Sequence, residues 1–171
     1  MSQIIGFTIP ALIVLAAVWV VVCLQFRNED RRRTWEMKKQ SGKDIIQLRL
    51  RAYERISLLL ERTEPEHLLA DTDISRMDIT DLQKHLLRAV RQEFDHNLSQ
   101  QIYVSDELWA RVTNARDEMG AFISTMAMQM PEGSTTLDYG KVLITAYRQN
   151  GVTPHQTAME ALKTEVRELL W

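Results

Sequence analysis

The feature that most constrains this chain is an unbroken apolar run close to its start. Ile4 to Phe26, IIGFTIPALIVLAAVWVVVCLQF, is 23 residues long and carries no ionisable side chain. As a helix it would reach roughly 34 Å, enough for a hydrocarbon core of about 30 Å. Fourteen of its residues are Leu, Ile, Val or Phe. At about −0.3 to −0.6 kcal/mol each they favour insertion by roughly 4–8 kcal/mol, before the cost of Gly6, Thr8, Pro10 and Gln25 is subtracted. Pro10 falls within the first two turns, where a missing amide donor does least harm. The sequence therefore predicts a single transmembrane helix within residues 1–26.

Two other readings of that run fit less well. A cleaved signal peptide needs a basic start, a shorter apolar stretch and a small-residue cleavage site, and none is present. A lipoprotein signal would use Cys23, but Val22 stands before it where a small residue is needed. Cys23 is read as a thiol within the helix, and Trp19 would anchor at the interface only in a shallowly seated one.

Charge sets the orientation. Residues 27–43 hold seven basic and three acidic groups. The basic ones, Arg27, Arg31, Arg32, Arg33, Lys38, Lys39 and Lys43, all follow the apolar run. The positive-inside rule then places the N-terminus outside and the rest of the chain in the cytoplasm. At about 1 kcal/mol per basic group near an anionic surface, the cluster would hold this juxtamembrane segment against the lipid bilayer. A nucleic-acid patch is the rival reading. Residues 44–171 carry fourteen basic and twenty acidic groups, so no nucleic-acid partner is expected.

The 171 residues allow about one domain beyond the anchor, and residues 44–171 read as helices. No stretch alternates with a period of two. Ser41 with Asp44 makes a capping-box pattern that opens a helix to about Arg62. Its apolar residues form two adjoining stripes, Ile45-Leu48-Ala52-Ile56-Leu59 and Ile46-Leu50-Tyr53-Leu60, wide enough for contact on more than one side. Pro65 breaks the run. Thr80 and Gln83 form a second capping box, before Leu82, Leu86, Leu87, Val90, Phe94 and Leu98. Ser105 is the expected N-cap of a third long helix, with Asp106 and Glu107 set against its dipole. Pro131 to Thr135 is a turn, and a fourth helix follows to about Gln149, with Asn150-Gly151 as a left-handed stop. Thr153, Pro154 and Gln156 then read as N-cap, N1 proline and box partner of the last helix. The predicted fold is all-α: one transmembrane helix, then a small cytoplasmic helical bundle.

Catalytic motifs are absent from the sequence. The glycines at 6, 42, 120, 133, 140 and 151 spell no phosphate-binding loop, and no HExxH, GxSxG or kinase set occurs. The one cysteine lies in the apolar run, so a cytosolic thiol nucleophile, a disulfide framework and a CxxC site are excluded. Glu64-x-x-His67 and Glu93-x-x-His96 repeat the spacing that di-iron bundles use, which keeps a helical metalloprotein as an alternative. The expected composition is nonetheless no cofactor and no metal. Met119, Met126, Met128 and Met130 are core filler or a soft apolar surface, and the terminal Leu169-Leu170-Trp171 docks on the bundle or on a partner.

Two stretches, QLRLRAYERISLLLER at Gln47–Arg62 and EFDHNLSQQIYVSDELW at Glu93–Trp109, resemble an uncharacterised family of short membrane-anchored proteins from Bacteroidota. The resemblance implies an N-terminal span, a helical cytoplasmic domain and a bacterial inner membrane. It implies no activity. In the second stretch, Phe94, His96, Asn97, Gln100, Gln101 and Tyr103 either shape a tight corner between helices or form a polar docking surface. The function expected is non-enzymatic: an adaptor or accessory subunit that binds other proteins of a membrane complex, or itself. A self-assembling membrane scaffold is the further alternative.

Overall fold

The structure, a computed structural model, describes Trp19, residues 44–70, 72–149 and 151–170. The predicted span, the basic segment with Arg27, Arg31, Arg32, Arg33, Lys38 and Lys39, Ser41, Asn150 and Trp171 lie outside the described residues, Trp19 apart. Among the described residues, no helix is long and apolar enough to cross a membrane. The chain divides into two units, Met1–Ile45 and Ile46–Trp171.

The second unit is all-α, with no strand among the described residues. The helices are α1 (residues 44–62), α2 (Pro65–Ala70), α3 (Ile79–Asn97), α4 (Asp106–Met128), α5 (Thr136–Gln149) and α6 (Pro154–Leu170). Two short 3-10 segments, Ile74–Arg76 and Leu98–Tyr103, lead into and out of α3.

Local chemistry explains the boundaries. Ser105 caps α4 as its sequence predicts, its hydroxyl accepting from the Leu108 amide. Thr153 and Gln156 form a reciprocal box, with Thr153 N donating to Gln156 Oε1 and Gln156 N donating to Thr153 Oγ1. Thr135 and Asp138 do the same for α5, a box that the sequence reading passed over. The start of α3 departs from expectation. Asp78, not Thr80, is the cap, because its carboxylate takes the Asp81 amide at 2.7 Å and lets the helix begin at Ile79. Pro65 ends one helix but also starts α2, where its fixed φ and missing donor suit the first position. The left-handed glycine is Gly133, at φ +83°, and Gly151 does not adopt that conformation.

The core has two layers threaded by the long α3 and α4. In one, α1 and α6 join them: Tyr53, Ile56, Leu59 and Leu60 pack with Phe94, Leu108, Val112, Ala115, Ala158 and Leu162. In the other, α2 and α5 take that place: Leu68, Leu82, Leu86, Val90, Met119, Ile123, Tyr139 and Leu143 close together. Each layer is a four-helix arrangement, and apolar burial on this scale is the main term that stabilises it. Met126 and Met130 pack against the second layer, Leu169 against the first, while Met128 and Leu170 are exposed. The wide stripe on α1 divides along its length. Ala52, Tyr53, Ile56, Leu59 and Leu60 are buried, whereas Ile45, Ile46, Leu48 and Leu50 are exposed.

Candidate functional site

The turn from α3 into α4 brings together most of the side chains that the sequence singled out. Phe94 is buried, its ring 5.2 Å from that of Trp109, with the Arg116 guanidinium 4.2 Å over it. Asn97 is buried too. Its amide donates to the Glu93 carbonyl at 2.9 Å and to Glu93 Oε1 at 3.3 Å, which lets α3 tighten into the 3-10 segment without orphaned polar groups. The Tyr103 carbonyl accepts from Arg49 Nε at 3.0 Å. Phe94, Asn97 and Tyr103 therefore build the corner, while His96 and Gln101 are exposed and Gln100 donates to its neighbour Ser99.

What fastens this corner is a residue the sequence reading missed. Glu165 of α6 accepts from Arg49 Nη2 and the Tyr53 hydroxyl, each at 2.9 Å, and from the Ser105 amide at 3.0 Å. Its second oxygen takes the Ser105 hydroxyl. Burial works against the charge, but the bonds from Ser105, Tyr53 and Arg49 outweigh it and hold the carboxyl below its ordinary value. Burial, reinforced by Glu165, pushes the Tyr53 phenol up to about 12. One carboxylate thus ties together α1, α6 and the start of α4.

A second polar pair lies between α1 and α6. Thr63 and His155 are both buried, with Thr63 Oγ1 and His155 Nε2 3.0 Å apart. The Thr63 hydroxyl donates to the Leu59 carbonyl at 2.8 Å, so it accepts from Nε2–H. His155 Nδ1 has no hydrogen-bond partner among the described residues. Burial lowers the His155 pKa to about 4. With neither group open to solvent, the pair is a packing contact, not a nucleophile with its base.

The two Glu-x-x-His pairs do not assemble. Glu93 is engaged with Asn97 and with Arg62 at 3.5 Å, while His67 and His96 are exposed. Among the described residues, no group of three or more His, Cys, Asp or Glu is placed to hold a metal ion.

The surface offers open hollows. One, of about 410 Å³, lies between α1 and α3 and is lined by Arg51, Glu54, Arg55, Leu58, Arg62, Glu93, His96 and Asn97. Another, of about 440 Å³, runs between α4 and α6 and includes Glu107, Leu108, Arg111, Glu160, Ala161, Thr164, Glu165 and Glu168. Neither gathers a nucleophile, a base and an oxyanion donor.

These features define a small all-α domain in which Glu165, Asn97 and the Thr63–His155 pair tie its own helices and corners together. The chain belongs to the family described as "Family of unknown function (DUF7935)", whose model matches residues 1–169. No curated protein and no solved structure matches it.

Proposed function

We propose that this chain is a non-enzymatic, single-span protein of a bacterial inner membrane. Its helical domain lies on the cytoplasmic side and binds other proteins of a membrane complex, as an adaptor or accessory subunit. The anchor rests on the uncharged run Ile4–Phe26 with the basic cluster behind it. The family model's match begins at residue 1 and so includes that stretch. The bacterial setting rests on the resemblance of Gln47–Arg62 and Glu93–Trp109 to membrane-anchored Bacteroidota proteins.

The single observation that carries the binding role is the exposed apolar start of α1. Ile45, Ile46, Leu48 and Leu50 stand uncovered on consecutive turns, in the part of the helix nearest in sequence to the basic segment. Neighbouring exposed apolar side chains of this kind mark interaction sites, which supports a docked protein here. Expression of the full chain at native level, carbonate extraction of membranes and mild-detergent purification with mass spectrometry test the reading. A carbonate-resistant chain with a defined set of companion membrane proteins is expected. Release into the carbonate supernatant would overturn the anchor, and a chain that brings no companion would overturn the adaptor role.

A further inference from the structure

The faces of the first layer differ in charge: the α1/α3 face sets Arg51, Arg55 and Arg62 against Glu54 and Glu93, and the α4/α6 face sets four glutamates against Arg111. Around that layer α1 neighbours α3 through Arg62 and Glu93, α3 neighbours α4 through Phe94 and Trp109, α4 neighbours α6, and α6 returns to α1 through Glu165 and Tyr53. The α1/α3 face and the α4/α6 face are therefore opposite sides of one four-helix square.

On the first, Arg51, Arg55, Leu58 and Arg62 fall one turn or two apart along α1 and all four are exposed, a single ridge. Arg62 has Glu93 as its counter-ion, but Arg51 and Arg55 have no ion-pair partner among the described residues. On the second, four glutamates and one arginine line the groove. Glu107 is paired with Arg111 and Glu165 with Arg49, which leaves Glu160 and Glu168 without a counter-ion among the described residues. The groove also includes the apolar Leu108 and Ala161.

The two faces also match in height. Arg49 meets Glu165, Ser57 meets Met159 and Thr63 meets His155, so α1 and α6 run antiparallel with Glu160 level with Arg55. A second copy shifted sideways, without tilting, would bring its α1 ridge into this groove with Arg55 beside Glu160. We propose that the domain associates with copies of itself in this head-to-tail way, the Arg51–Arg55–Leu58–Arg62 ridge of one copy seated in the α4/α6 groove of the next. Such an interface is heterologous, so it propagates as a row or closes as a ring. The proposal uses only residues of Ile46–Trp171 and does not depend on the adaptor reading.

The test is the association state of the full chain in a non-ionic detergent, by sedimentation with the detergent density-matched. Wild type, Arg55→Glu, Glu160→Arg and the double variant are compared at about 20 mM and about 500 mM salt. Wild type is expected to associate at low salt and to weaken at high salt. Each single reversal replaces an attraction by a repulsion and is expected to weaken association about tenfold. The double variant restores the pair in inverted form and should recover, as should a mixture of the two single variants. Unchanged helical circular dichroism keeps a folding defect apart from a lost contact. A wild type that stays monomeric at low salt overturns the proposal. So does association that ignores both salt and the reversals, which would assign self-contact to the apolar run instead.

Discussion

The Thr63 hydroxyl and the His155 Nε2 lie 3.0 Å apart in the buried seam between α1 and α6, and that contact makes the imidazole a neutral donor with an unpartnered Nδ1. Because the pKa of His155 falls from 6.5 to about 4 on folding, protons bind the unfolded chain first. Above pH 6.5 neither state is charged there and nothing is lost. Between 6.5 and about 4 stability falls by about 1.4 kcal/mol per pH unit, to a total of about 3 kcal/mol, and below about 4 the loss is complete. Urea unfolding at pH 7, 6 and 5 should show this slope. His155→Phe, which leaves the Thr63 hydroxyl on Leu59, should flatten it. Glu165 and Glu64 also titrate in the acid range, but they are common to both proteins and cancel in the difference. Equal slopes would show that His155 is not the group responsible.

Glu165 is the most connected side chain on the first layer, with four hydrogen bonds to Arg49, Tyr53 and Ser105. Removing the carboxylate strands the Ser105 amide and the Tyr53 hydroxyl and leaves Arg49 without its counter-ion. Glu165→Ala is expected to cost about 2 kcal/mol in chemical denaturation, and Glu165→Gln less, since an amide oxygen still accepts. A loss below about 0.5 kcal/mol for the alanine variant would mean that solvent replaces all these bonds.

The helices were legible because their signals are local. Ser105, Thr153 with Gln156, and the apolar rows of α3 and α4 act within a turn or two of themselves. The tie at Glu165 was not legible, because its partners stand 60 to 116 positions away and nothing nearby separates it from a solvated helix acid. Asp78 displaced Thr80 as a cap by a choice between two good candidates two residues apart, which spacing does not decide. The Glu-x-x-His pairs show the opposite failure: a three-residue spacing puts two groups on one face but leaves open whether two such faces meet.

The corner separates into structural and surface residues, and substitution should sort them. Phe94→Ala removes a buried ring held against Trp109 and under Arg116 and should cost about 3–4 kcal/mol. Asn97→Ala leaves the Glu93 carbonyl with one bond fewer and should cost about 1 kcal/mol. His96→Ala, Gln100→Ala and Gln101→Ala should stay within about 0.5 kcal/mol. Thermal melts of the five variants check the order. A large loss at Gln101 would show that the exposed edge of the corner bears on folding after all.

Two glycines in open space offer a cleaner comparison. Gly133 sits at φ +83° and Gly151 does not share that conformation, and a Cβ at either would meet nothing within 4 Å. Sterics of packing are thus equal at the two sites and only backbone conformation differs. In the turn closed by the Ser134 amide on the Pro131 carbonyl, Gly133 holds the third position of a type II turn, where a side chain strains the left-handed φ. Gly133→Ala should cost about 1 kcal/mol. At Gly151 alanine reduces the freedom of the unfolded chain without strain, so Gly151→Ala should be neutral or stabilising by up to about 1 kcal/mol. Melting temperatures moving in opposite directions, or one falling while the other holds, is the expected pattern. Equal losses at both sites would place the left-handed requirement at Gly151 as well.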